Sequence, residues 1–126
     1  MAHILIIEDD AHTARLLEVR LKQVGHTSAW AQDGMAGIAA ARKLTPALIL
    51  LDYMLPGMSG VDVAKRLKHD PMTRHIPVIM LTARSEGPLV LAGLDAGADA
   101  YLIKPVHFPD LIRRIANFIG HNTQIS

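Results

Sequence analysis

Four short apolar runs, each ending in a polar group with chemistry to offer, are separated by longer amphipathic stretches. That alternation leaves few architectures open. His3-Ile-Leu-Ile-Ile7 leads into Glu8 and Asp9, and Ala47-Leu-Ile-Leu-Leu51 leads into Asp52. Val78-Ile-Met-Leu81 leads into Thr82, and Tyr101-Leu-Ile103 leads into Lys104-Pro105. Runs of this length that lack polar alternation suit strands covered on both faces. Strands that alternate with helical segments point to repeated strand-helix units and a parallel sheet.

The intervening stretches read as helices. The first spans Ala11 to Val24, with Ala14, Leu17, Leu21 and Val24 on one stripe and Gly25 as its stop. A weaker strand follows near Thr27 to Ala31. Asp33 then caps a small-residue helix that ends near Leu44, and Pro46 separates it from the strand delivering Asp52. After the turn Leu55-Pro-Gly57, Ser59 opens a helix with Val61, Ala64 and Leu67 facing inward, closed by Asp70-Pro71. A fourth helix over Ser85 to Ala96 is weakened by Gly87, Pro88 and Gly93. The last helix carries Pro109 in its first turn, a stripe of Leu111, Ile112, Ile115, Ala116 and Ile119, and Gly120 at its end. Five strands and five helices in one domain over residues 1–120, with a tail or linker start over 121–126, account for the chain.

Composition narrows the function classes. The 126 residues suffice for one core without staples, and the absence of cysteine rules out disulfides and thiolate metal sites. A formal charge of +1 makes no field for nucleic acid or acidic lipid, and the basic run Lys65-Arg66-Leu67-Lys68 reads as the solvated face of a helix. No apolar stretch reaches the length of a membrane span, and the chain starts without the features of a signal peptide. We therefore expect a soluble cytoplasmic protein without direct nucleic-acid or membrane partners. The seven histidines show no i, i+4 ligand pair and read as surface or loop residues. Trp30 and the six methionines read as packing or surface. Gly57, Gly60 and Gly97 read as turn residues, because no strand leads into a nucleotide-binding glycine pattern.

In an open parallel sheet the carboxyl ends of neighbouring strands share a crevice. Glu8, Asp9, Asp52, Thr82 and Lys104 therefore meet there although they are far apart in sequence. Clustered carboxylates repel one another, and a cation relieves the cost. With oxygen ligands and no cysteine, a hard ion, Mg²⁺, is favoured. Asp52 stands alone, followed by the turn Tyr53-Met-Leu-Pro-Gly57 that would hold it forward and offer the Met54 carbonyl to the metal. It is the better nucleophile, and carboxylate attack on phosphorus gives an aspartyl phosphate. Mg²⁺, the Thr82 hydroxyl, the Ala83 N–H and the Lys104 ammonium are the groups able to neutralise charge on the phosphoryl oxygens.

These residues resemble the receiver domain of bacterial two-component response regulators. The likeness runs from Ile4-Leu-Ile-Ile-Glu-Asp-Asp10 through Leu50-Leu-Asp-Tyr-Met-Leu-Pro-Gly57 and Ile79-Met-Leu-Thr-Ala83 to Gly97-Ala-Asp-Ala-Tyr-Leu-Ile-Lys-Pro105. Four motifs in order, over nearly the whole chain, make it specific. It implies an α/β, doubly wound, five-stranded parallel sheet of order 2-1-3-4-5 with five helices, the flavodoxin-like receiver fold. It implies that Asp52 accepts a phosphoryl group from a phosphohistidine on a sensor histidine kinase or histidine phosphotransfer protein, as in a phosphorelay. Asp9 would bind Mg²⁺ directly, with Glu8 directly or through water, beside Asp52 and the Met54 carbonyl. Asp10 would be a helix cap. Thr82 would move towards the phosphoryl group, Tyr101 would swing inward, and Lys104 would pair with the phosphate next to a cis bond to Pro105. The output surface would be the fourth helix, the strand of Tyr101 and the last helix. It would act on a downstream protein or attached output domain, with a phosphorylation-dependent dimer as one form. Met54 and Arg84 occupy the positions that tune phosphoryl lifetime in this family.

The same resemblance implies a switch that catalyses only its own phosphorylation and dephosphorylation, and no separate turnover. The enzyme alternative is a Mg²⁺-dependent aspartyl-phosphate phosphatase. Such enzymes usually place a second Asp two residues after the nucleophile, where this chain has Met54. A flavodoxin-like cofactor binder is a third class and leaves the acidic cluster unexplained. Asp70 to Pro77 resembles receivers joined to nucleotide-cyclase or hybrid-kinase outputs. Ala100 departs from the acidic residue that many DNA-binding regulators carry before the aromatic switch position, where it pairs with an arginine such as Arg114 across a dimer.

Overall fold

The computed structural model describes residues 2–83 and 96–119. Their order along the chain is β1 (His3–Ile7), α1 (Ala11–Gln23), β2 (Thr27–Ala31), α2 (Gly34–Leu44), β3 (Leu48–Asp52), α3 (Gly60–His69), β4 (Val78–Ala83), β5 (Ala100–Lys104) and α4 (Phe108–Ile119). The five strands form one sheet of order β2-β1-β3-β4-β5, and every pair is parallel. This is the doubly wound receiver architecture expected. The helix expected over Ser85 to Ala96 lies, apart from Ala96, outside the described residues, as do Arg84, Gly120 and the tail.

Apolar side chains on both faces of each central strand explain why the sheet is sandwiched. On one face Leu5, Ile7, Ile49, Leu51, Val78 and Met80 pack with Ala41 of α2 and Val63, Ala64 and Leu67 of α3. On the other, Ile4, Ile6, Leu48, Leu50, Ile79 and Leu81 pack with Ala14, Leu17 and Leu21 of α1 and Leu111 and Ile115 of α4. Burying each large aliphatic side chain contributes about 1.5–3 kcal/mol, so both layers are strongly held.

The helix starts follow their capping residues. Asp10, Asp33 and Ser59 each accept a backbone N–H three residues on, from Thr13, Ala36 and Asp62. Three expectations need correction. Val24 is the C-cap of α1 and is exposed, because the chain has already left the helical stripe there. Ala116 is also exposed, since α4 buries only a narrow Leu111 and Ile115 seam, with Ile112 and Ile119 half-buried beside it. Gly60 opens α3, so it is not a turn residue. Val61 faces inward as expected and packs at the margin of the core, beside the fully buried Val63. Strand β4 also runs through Thr82 and Ala83, past the end of its apolar run.

Candidate functional site

The register of the sheet assembles the site. Ile7 lies beside Leu51, so the next residues, Glu8 and Asp52, emerge level with one another at the carboxyl ends of the two central strands. Asp52 is paired with Leu81, which puts Thr82 one residue further on, and Ala83 is paired with Lys104. Residues 96 positions apart in sequence thereby come within hydrogen-bonding distance: Lys104 Nζ donates to Glu8 Oε1 at 3.1 Å and to Asp52 Oδ1 at 2.9 Å.

Oxygen atoms of Glu8, Asp9 and Asp52 all lie within 4.8 Å of one another. Glu8 and Asp52 are buried, at 1% and 5% exposure, whereas Asp9 is exposed at the mouth. Burial raises the Glu8 carboxyl to about 7, helped by a hydrogen bond and repulsion from Asp52 and opposed by the Asp10 N–H and Lys104. Burial alone would lower Lys104. Its bonds to Asp52 and Glu8 outweigh that effect and hold the ammonium above its ordinary value. Three carboxylates around one ammonium leave unneutralised negative charge, and the donors are hard oxygens. That donor set fits a divalent hard cation such as Mg²⁺.

The turn after Asp52 is pinned on both sides. Tyr53 N–H donates to Leu81 O at 2.9 Å, and Gly60 N–H donates to Tyr53 O at 2.9 Å. A Cβ on Gly60 would lie 2.6 Å from Asp52 O, so the start of α3 reaches this turn only as glycine. Gly57, with φ +78°, turns the chain between them. The Met54 side chain is 62% exposed.

Thr82 is buried, and its hydroxyl donates to Ala83 O at 3.4 Å. Tyr101 stands outward on edge strand β5 at 38% exposure, near the exposed Ile103. Lys104-Pro105 is cis. Asp10 caps α1, as expected, and lies outside the acidic triad; the Thr13 hydroxyl and then its N–H hold its carboxyl below the ordinary value. The position expected to tune lifetime at Arg84 lies outside the described residues.

Two neighbours of the site were not legible as such. Trp30 Nε1 donates to Glu8 O at 2.7 Å, and Gly60 sits under Asp52. A lone indole on an edge strand is the only sequence signal for the first. For the second it is a glycine directly after a capping serine.

The comparisons with known proteins agree with this geometry. The family model for the response regulator receiver domain matches residues 4–116. The DNA-binding response regulator MtrA of Mycobacterium tuberculosis (strain ATCC 25618 / H37Rv) is 41% identical over 119 residues, covering 94% of this chain and 51% of MtrA. The DNA-binding dual master transcriptional regulator RpaA of Synechocystis is 39% identical over 125 residues, covering 99% of this chain and 52% of RpaA. The chain thus spans about half the length of these curated relatives. Among solved structures, the receiver domain of sensor histidine kinase PA1611 from Pseudomonas aeruginosa PAO1, with a magnesium ion in its active-site cleft, is 28% identical. It matches with a TM-score of 0.87 over 94% of this chain and 98% of that one. A response regulator receiver domain protein from Clostridium thermocellum is 26% identical, with a TM-score of 0.89 over the full length of both. Sheet order, acidic pocket and sequence match thus lead to one conclusion: this chain belongs to the response regulator receiver domain family of two-component signalling.

Proposed function

We propose that this receiver is a phosphorylation-dependent switch whose acceptor is Asp52. The donor is a phosphohistidine of a sensor histidine kinase or histidine phosphotransfer protein. The supporting observation is the convergence of Lys104 on the buried Glu8 and Asp52 carboxylates, with Asp9 alongside. An Asp52 carboxylate oxygen attacks phosphorus in line. The new O–P bond forms as the P–N bond breaks, and its electron pair returns to the donor imidazole. Lys104 is placed to exchange its carboxylate contacts for a phosphoryl oxygen, and Thr82 and the Ala83 N–H supply further donors. Glu8, Asp9, Asp52 and the Met54 carbonyl would hold Mg²⁺. When bound, the ion supplies positive charge against the phosphoryl oxygens.

The phosphoryl group brings roughly −1.5 to −2 charges to a pocket already rich in carboxylates. Its effect is to bias two arrangements of the segments bearing Thr82 and Tyr101. A shift from mostly inactive to mostly active needs about 5.5 kcal/mol of differential stabilisation. Several charge-assisted contacts to Thr82 and Lys104 are of the size to supply it. Tyr101, exposed here, would turn inward. The surface of β5 and α4 would then engage a downstream protein, an attached output domain or a second copy. The curated relatives are named DNA-binding regulators, which supports transcriptional output through a separate domain.

The test is incubation with acetyl phosphate and Mg²⁺, followed by intact mass. Wild type should gain one labile phosphoryl group, and Asp52→Asn should gain none. Continuous turnover of a phosphomonoester that is lost in Asp52→Asn would instead identify an aspartyl-phosphate phosphatase. Light scattering with beryllofluoride and Mg²⁺ would show whether a dimer forms.

A further inference from the structure

Trp30 is the one tryptophan of the chain, and it stands on β2, an edge strand. Its indole N–H donates to the Glu8 carbonyl at 2.7 Å, and the Glu8 N–H donates to Ala31 O at 3.0 Å. Both backbone polar groups of the first acidic residue are therefore held by β2. Strand β1 ends at Ile7, so past Glu8 the backbone has left the ladder and relies on what else holds it. The Glu8 C=O and the Asp9 N–H belong to one planar peptide unit. Fixing that carbonyl fixes the plane from which Asp9 departs, and Asp9 is the exposed member of the acidic triad.

We propose that Trp30 is a positioning residue for the acidic pocket: by holding the Glu8 carbonyl it sets the Glu8–Asp9 peptide plane and so aims Asp9 at a bound divalent cation. The inference rests on reading Glu8, Asp9 and Asp52 as a Mg²⁺ site. Groups that orient metal ligands from behind contribute measurably to affinity although they never touch the ion. Here the lever is a single hydrogen bond to backbone. Its removal is expected to weaken Mg²⁺ binding roughly three- to tenfold.

Two variants of the full chain separate this role from packing, because Trp30 also packs against the Ile4 and Ile6 layer. Trp30→Phe keeps an aromatic ring and removes the donor. Replacing Trp30 by benzothienylalanine keeps the two-ring shape and exchanges only the N–H for sulfur. Calorimetric titration with Mg²⁺ should show weaker binding in both, with the benzothienyl protein melting close to wild type. A benzothienyl variant that binds Mg²⁺ as tightly as wild type overturns the role of Trp30. Wild type that neither binds Mg²⁺ nor accepts a phosphoryl group overturns the reading of the pocket itself, and this inference with it.

Discussion

Gly60, the first residue of α3, lies against the carbonyl of Asp52 so closely that an added Cβ would sit 2.6 Å from that oxygen and 2.9 Å from Tyr53 Cα. Both atoms are backbone, so no side chain can move aside. Gly60→Ala should therefore displace the acceptor turn and lower stability by about 1–3 kcal/mol, the usual range for overpacking. Urea denaturation measures the loss. Acetyl phosphate labelling should slow beyond what the unfolded fraction explains, because the displaced atoms belong to Asp52, the proposed acceptor, and to Tyr53 beside it.

The ammonium of Lys104 is the cation that touches both buried carboxylates among the described residues. Lys104→Met strands two carboxylates in a low-dielectric pocket. Breaking a buried pair costs about 3–5 kcal/mol, but the Lys104 side chain keeps 29% of its surface in solvent. A loss of roughly 1–3 kcal/mol without metal at pH 8 is the expectation. The deficit should shrink at pH 6, where Glu8 takes up a proton. Labelling of Asp52 should fall at either pH, and equal labelling of variant and wild type would contradict the role given to Lys104.

Glu8 titrates at about 7 when folded, against an ordinary value of 4.5. The folded state therefore binds the proton more tightly than the unfolded state. The stability this supplies is fully present below 4.5 and is lost as pH rises through about 7. Metal-free protein should be less stable at pH 8 than at pH 5 by up to about 3 kcal/mol from this group. Glu8→Gln should flatten the profile in urea melts with EDTA. Mg²⁺ competes with the same proton, so its affinity should rise from pH 6 to pH 8.

Met54 stands two residues past Asp52, the proposed acceptor, with an exposed thioether that accepts hydrogen bonds weakly and orients water poorly. A phosphorylated chain should lose its phosphoryl group slowly. Met54→Asn places an amide there and should shorten the half-life several-fold in the presence of Mg²⁺. Decay on the scale of seconds in wild type, or no change in the variant, would refute this.

Much of the site is legible in the sequence, because parallel strands bring their carboxyl ends to one edge whatever the loops between them do. Glu8, Asp9, Asp52, Thr82 and Lys104 each follow an apolar run, and that position alone predicts their meeting. Capping is equally legible, since Asp10, Asp33 and Ser59 act through backbone groups three residues away. Periodicity does less well at helix ends. Val24 and Ala116 fit a helical stripe by spacing, yet the first has left the helix and the second lies beyond the seam α4 buries.

Local pattern, then, determined the described elements, their parallel arrangement and which polar side chains stand at the strand ends, since periodicity, caps and strand ends depend on near neighbours in the chain. The tertiary structure alone decided how far Glu8 is raised, that Lys104 bridges two particular oxygens, that Gly60 must lack a side chain, and that Trp30 grips the Glu8 carbonyl. Each of these depends on distances between segments remote in sequence and on the water excluded between them, and neither quantity is written in any local stretch of residues.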